Sequence, residues 1–542
     1  MKILIVLIIT FISYSSYAAT ICSQCSGKNC YYVSTTGNDK STGKTVSTAW
    51  KTIQHAVYMS PVYSHVICVL PGVYNENNDG IYIGLKPSNH SLTESPAMLK
   101  AGTLGNEIVF QSATLYGAKI HGFTIVGGAY IKIDGFEISQ PTTAISVNGV
   151  SFPNIDPVVW GNDSFKGFGI LLHNSQHCII NNNYIHDTAK EGISLRTWND
   201  VLSATYSSYH IVSNNKIERV GTYAGIFSLG VGHLLSNNDI SHVIQFRMLQ
   251  QDSSNKWVGF IIPDTTGQDA DGIKFEGQDQ IIRGNYIHDI LCHDIGNDNA
   301  PSPLSSDIKP NPHIDGVSTY GVAYNTLIEN NIILLPSDND SSTVGGDCGH
   351  QAAMIGTDFG IVNGMAIQNN VISSYRGFNM QRSNSNNSMS NLYFYFNTFH
   401  DIPDYGIELG FTSGDAKIKN NIFYNVGIEG YDKLPIYVCY PTGTGSSAKC
   451  RTDIAYSYGN LEITKNAHYL SSGTPFCKKA TSMAAFPFNI EYCQIDPLFV
   501  SGNFKLQSIS PMIGQAVDVG VLTDLEGFSR TLPYDLGAYE YH

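Results

Sequence analysis

The feature that most narrows what this chain can fold into is a recurring short turn, written most often as Asn-Asn, then any residue, then an apolar one. It appears as Asn182-Asn183-Tyr184-Ile185, Asn214-Asn215-Lys216-Ile217, Asn237-Asn238-Asp239-Ile240, Gly284-Asn285-Tyr286-Ile287, Asn330-Asn331-Ile332-Ile333, Asn369-Asn370-Val371-Ile372, Phe396-Asn397-Thr398-Phe399 and Asn420-Asn421-Ile422-Phe423. Measured between the second residues of successive turns, the spacing runs from 23 to 47. The shorter spacings match one coil of a β-solenoid. Asn suits the place because it tolerates a left-handed backbone and can stack its amide on that of the next coil. A second apolar strand follows each turn and opens on glycine, at Gly192, Gly225, Gly272, Gly316, Gly377 and Gly406. Three spacings exceed one coil, so loops are inserted between 239 and 369, and insertions in repeat proteins gather on the binding face.

At 542 residues, length alone would suggest several domains. A repeat replaces that expectation with one continuous core. Charged residues are only 14% beside 51 Gly, which suits an all-β chain rich in turns. The net charge of -14 excludes nucleic acid as a partner, and it disfavours a polyanionic substrate unless the binding wall is locally basic or carries a cation. Met1-Lys2, the apolar run from Ile3 to Ile12 and Ser16-Tyr17-Ala18-Ala19 read as a signal peptide cleaved near Ala18-Ala19. The expected product is secreted or periplasmic, monomeric and free of the membrane. With 11 cysteines it should carry disulfides and at least one leftover thiol. Cys22, Cys25 and Cys30 would staple the mature N-terminus, Cys439 with Cys450 and Cys477 with Cys493 would staple loops, and Cys178 would be a buried thiol.

Early in the chain, Tyr31 to Asp39 reads as a strand and turn, and 49–57 as a helix with Thr48 at its N-cap, placed to cover the open end of the first coil. The Tyr32-Val33-Ser34 and Gly37-Asn38-Asp39 opening, the Trp50-Lys51-Thr52-Ile53-Gln54 helix and the Pro71-Gly72-Val73-Tyr74 turn resemble the N-terminal cap of exported right-handed parallel β-helix proteins of the pectate-lyase-like superfamily. Asp496-Pro497-Leu498-Phe499 and Gly537-Ala538-Tyr539-Glu540-Tyr541 are similar to that group's closing segment. The resemblance implies an all-β, single-domain right-handed parallel β-helix. Its parts would be a signal peptide (1–18), an N-terminal cap and first coil (19–75), the β-helix (76–430), and C-terminal coils with a disulfide-stapled cap in which the period is lost (431–542).

The chemistry-bearing residues gather between Asp269 and His350. Stacking the coils puts Asp269, His313 and His350 in one column and Asp271, Asp315 and Ala352 in the next, with Glu191 two coils before Asp271. Strands stack about 4.8 Å apart, so Asp271 and Asp315 would be near contact. Both cannot ionise cheaply unless a cation lies between them or one keeps its proton. The first solution is Ca²⁺ held by Asp269, Asp271 and Asp315. It leads to β-elimination on a uronate-containing polysaccharide, with Lys274 or His313 as base and Arg376 or Arg196 on the sugar carboxylate. That is the preferred expectation. The second is hydrolysis with one protonated Asp. Here Asp269-Ala270-Asp271-Gly272, Asp315 and Gly349-His350 are similar to segments of polygalacturonases, which implies Asp271 and Asp315 as catalytic acids with His350 beside them. The likeness is partial, because Asp269 replaces an Asn, Asp315 lacks a paired Asp, and Gln351 follows His350 where a Gly is expected. Glu191, Arg196 and Arg376 are the expected substrate contacts. A glycan-binding β-helix without catalysis stays open, with the Asp-Gly pairs as turn chemistry. His186-Asp187, His288-Asp289 and His400-Asp401 share one repeat position and read as a repeat feature.

Overall fold

The computed structural model describes residues 22–75, 80–84, 100–140, 142–147, 150–155, 167–197, 200–221, 223–243, 249–251, 257–259, 269–290, 314–336, 350–357, 360–381, 389–410, 414–428, 435–438, 441–442, 449–450, 461–475 and 490–542. The expected signal peptide, His313, Cys439 and Cys477 lie outside them.

The stacking partner of each Asn turn is an identical turn one coil away, and this fixes the architecture. The amides of Asn183, Asn215, Asn238, Asn285, Asn331, Asn370, Asn397, Asn421 and Asn466 form one vertical ladder, each Nδ2 donating to the next Oδ1 at 2.9–3.1 Å. Each Oδ1 also accepts the backbone N–H of the Asn before it, and each Nδ2 also donates to a carbonyl of the preceding coil, as Asn285 does to Leu235 O at 2.9 Å. The residue before each ladder Asn takes the left-handed conformation, with φ of 55° at Asn182, 56° at Asn330, 57° at Phe396 and 58° at Lys465.

Every ladder pairing between coils is parallel, and the strands form a right-handed parallel β-helix. A 13-stranded sheet makes one face, and a 24-stranded sheet bends to make two others. One contiguous apolar core runs through the stack from Tyr31 to Ile436. The coils continue past the point where the sequence period fades: Ile436–Val438 pairs with Ile407–Leu409, and Leu461–Thr464 with Ala416–Lys419. Asn466 extends the ladder there. It follows Lys465 rather than Asn, which hid it from the pattern.

The capping helix spans Ile53–Met59, with Thr52 as its N-cap accepting from His55 N. The expected start at Thr48 is displaced because Trp50 bridges to Val33 and Asp39 Oδ1 accepts the N–H groups of Lys51 and Thr52 at 2.7 and 3.0 Å, which keeps that stretch extended. Cys22–Cys68 ties the N-terminus to the first coil, and Cys25–Cys30 closes the loop between. Cys493 is also disulfide-bonded. Cys178 is a free, buried thiol. Residues 496–542 turn back along the stack, where Asn330, Asn369 and Asn420 donate side-chain hydrogen bonds to Asp524, Thr523 and Val517 carbonyls. Among the described residues no helix is long and apolar enough to cross a membrane.

Replacing Asn285 by Ala strands the backbone and side-chain donors of Asn238 in a dry interior. Urea unfolding should show a loss of about 2 to 4 kcal/mol. A loss below about 1 kcal/mol would mean that water substitutes for the ladder.

Candidate functional site

The glycine that opens each strand sets which way its neighbours point. A Cβ on Gly192, Gly225, Gly272 or Gly316 would lie 2.5–2.6 Å from Cγ2 of the isoleucine in the facing Asn turn, Ile217, Ile240, Ile287 and Ile333 respectively. This slot therefore faces the core, and so does the residue after it, as the burial of Ile273 and Val317 shows. Two consecutive inward residues break the alternation of a strand. The residue before the glycine and the residue two after it are left on the outer wall. The first of these rows reads Phe168, Glu191, Ala224, Asp271, Asp315, Gln351 and Arg376, and the second reads Leu171, Ser194, Phe227, Lys274, Ser318, Met354, Asn379 and Glu408.

The carboxyl groups of Asp271 and Asp315 thus meet on adjacent coils. Asp271 Oδ1 accepts the backbone N–H of Asp315 at 3.2 Å, and its Oδ2 accepts the hydroxyl of Ser318. Both residues are 0% exposed. Burial, then the charges of Asp315 and Asp269, push the Asp271 carboxyl well above the ordinary carboxylate range. Lys274 reaches back to bond Asp269 Oδ2, and its ammonium stands 4.6 Å from the ring centre of Tyr320. Burial opposes its charge, but Asp271 and Asp269 prevail and hold Lys274 above the usual lysine value. The Tyr320 hydroxyl lies 3.5 Å from Asp315 Oδ2 and 3.3 Å from Met354 Sδ.

The structure changes the expected columns. Asp315 pairs with Gln351, not Ala352. The reason is that Ala352, fully buried, fills the inward slot that other coils give to glycine, so that the coil carries no glycine marker. His350 consequently stands one residue out of the Asp269 column, level with Ile314 and Ala270, which belong to the core. Its carbonyl accepts Arg376 N at 2.9 Å. Lys274 is held as an ammonium, which removes it as a base near neutral pH. Of the residues expected to hold calcium, Asp269 is engaged by Lys274 and both Asp271 oxygens accept hydrogen bonds. Among the described residues no three His, Cys, Asp or Glu converge as a metal ion requires.

Arg376 is two coils from Asp315 and pairs with Asp404 at 3.1 Å. Glu191 and Arg196, two coils beyond Asp271 on the other side, pair with each other at 2.6 Å. Sequence reasoning missed Ser318, Tyr320, Gln351, Asn379 and Asp404. Ser318 had a signal, since it follows Asp315-Gly316 at the offset by which Lys274 follows Asp271-Gly272. The three His-Asp pairs bond internally at 2.6, 2.6 and 3.2 Å, with each Asp in the left-handed conformation at φ of 49–51°. Their histidines lie on the strands of the 13-stranded sheet.

Residues 35–290 match the model of a family described as "Protein of unknown function (DUF1565)". No curated protein matches the chain in sequence. Similar solved structures include the complex of XylC with xylose, 13% identical with TM-score 0.45 over 95% of this chain and 98% of that one. Pectate lyase Pel9A is 13% identical with TM-score 0.38 over 96% and 100%. PfbA, a surface adhesin of Streptococcus pneumoniae, is 12% identical with TM-score 0.41 over 74% and 88%. At such identities none of them carries a residue role onto this chain.

Because Asp271 holds its proton longer in the folded than in the unfolded state, the native protein binds more protons between the unfolded value, about 4, and the raised folded one. Stability should therefore be greatest below that window and fall as pH rises through it, by up to about 1.4 kcal/mol per pH unit. Unfolding curves of Asp271→Asn across the same range should lack that component, and an identical slope in both proteins would contradict the assignment.

Proposed function

We propose that the protein is an exported carbohydrate-active enzyme that hydrolyses a glycan laid along the stacked coils, with Asp271 and Asp315 as its carboxyl pair. The observation that carries this reading is the adjacency of those two carboxyls on neighbouring coils, where burial and the charge of Asp315 push the Asp271 carboxyl above the ordinary carboxylate range. A proton on one carboxyl beside a second carboxylate is the arrangement that glycoside hydrolysis uses, the first protonating the leaving oxygen and the second acting on water or on the sugar carbon. Asp315 N–H and Ser318 fix the Asp271 carboxyl in place. Tyr320, partly exposed, places its hydroxyl 3.5 Å from Asp315 Oδ2.

Calcium-assisted elimination on a uronate was the stronger expectation from sequence, and the pairing of the cations on the described part of the wall favours hydrolysis instead. Arg196, Lys274 and Arg376 are each already bonded to a carboxylate, at Glu191, Asp269 and Asp404. Glu408 adds a further carboxyl to the second row, and Glu276 adds one two residues beyond Lys274 on the same strand. A polyanion would meet net repulsion there, so the reading favours a neutral or amino-sugar glycan.

The test is a panel of neutral, amino and uronate polysaccharides assayed for new reducing ends and for the ultraviolet absorbance of an unsaturated uronate. New reducing ends without that absorbance, unaffected by chelator, are the expected result. Asp271→Asn and Asp315→Asn should each lower kcat by roughly a hundred- to ten-thousandfold while remaining folded. Absorbance that rises on uronates and disappears with chelator would restore elimination, and binding without cleavage of any kind would leave an adhesin.

A further inference from the structure

Two coils below the carboxyl pair, the same outer row carries a second built station. Glu191 is 0% exposed, and its Oε2 has no hydrogen-bond partner among the described residues. Its Oε1 accepts from Arg196 Nη2 at 2.6 Å, and Arg196 Nε donates to Ser194 Oγ at 2.8 Å, so the guanidinium is clamped on one edge. The Arg196 guanidinium carbon lies 5.2 Å from the ring centre of Phe168 and 4.8 Å from that of Phe227, stacked against two rings on neighbouring coils. Phe168 packs with Leu171 in an apolar patch separate from the interior core. Between this station and Asp271 the row holds only Ala224, its smallest side chain, over two strand spacings, about 9.6 Å.

We infer that Glu191 and Arg196, with Phe227, form a distal subsite for a neutral sugar ring of the same glycan, separated from the cleavage point by the coil of Ala224. The inference rests on the reading of this wall as a glycan-binding surface. A buried carboxylate oxygen lacking a donor and a clamped guanidinium are complementary to two adjacent hydroxyls of one sugar, the carboxylate accepting from one and Arg196 donating to the other. The ion pair neutralises itself, so it offers no net charge to an acidic sugar. The Phe227 ring supplies an apolar platform for the face of the pyranose. A sugar at this station can belong to the chain being cleaved only if that chain spans the two strand spacings, and so the enzyme gains from substrates longer than a disaccharide.

The test uses the whole mature chain and linear cello-, xylo-, manno- and chito-oligosaccharides from disaccharide to hexasaccharide. In the wild type kcat/KM should climb with length in one series. In Arg196→Met, which keeps the stem over the rings, and in Glu191→Gln, that climb should shrink by roughly ten- to hundredfold, chiefly through KM. An equal loss at every length would mean a merely structural role, and an undiminished climb would remove the subsite; either result overturns the inference. If the wild type cleaves none of the series, the proposed hydrolysis fails on neutral glycans, and hexasaccharide binding by calorimetry decides the subsite separately. Binding that Arg196→Met weakens upholds it, and binding that the variant leaves unchanged, or no binding at all, overturns it.

Discussion

Each ladder asparagine is buried and donates twice, each after Asn183 accepts twice, and all of the partners lie on neighbouring coils or its own. An amide in that position cannot be satisfied unless the coil above and the coil below are in register. The penalty for an unpaired buried donor, about 1 to 3 kcal/mol, therefore acts at every coil to hold the vertical alignment. This explains how the stack absorbs an interval of 47 residues between Asn238 and Asn285 as readily as one of 23 between Asn215 and Asn238. The chain between can be of any length provided that it returns to the ladder.

The glycine slot converts that alignment into chemistry. Because Gly272 and Gly316 must lie against Ile287 and Ile333, the acids that precede them are turned outward and set beside each other. The cost of that pairing is visible in Asp271, which burial and the neighbouring carboxylates drive toward its neutral form. Lys274 moderates the cost without removing it, since it is already committed to Asp269. Among the described residues, a wall organised in this way balances charge internally, through ion pairs along the rows, and its Arg196, Lys274 and Arg376 are committed to carboxylates.

The ends of the stack are finished differently. At the N-terminus a short helix covers the first coil and a disulfide fastens the leading segment to it. Toward the C-terminus the closing segment runs back along the outside, and the fully buried Arg530 bonds Glu540 and Asn369 at 3.0 and 2.8 Å. That segment takes up the side chains of the left-handed asparagines, which face out of the ladder.

The repeat was legible because its two constraints are local. A left-handed corner selects Asn or Gly, and an inward slot against isoleucine selects Gly, so both leave marks on the sequence. Where the same constraint is met by another residue the mark is lost, as with Lys465 before Asn466 and Ala352 in the glycine slot, and the columns read from sequence slip by one at His350. The sequence by itself determined the coil, its ladder and the pairing of Asp271 with Asp315. Which carboxylates are already bonded, which cation is spent on which acid, and what Lys274 can do at neutral pH were decided only by the folded chain. Those properties depend on distances between side chains far apart in sequence and on the water excluded around them, neither of which a spacing encodes.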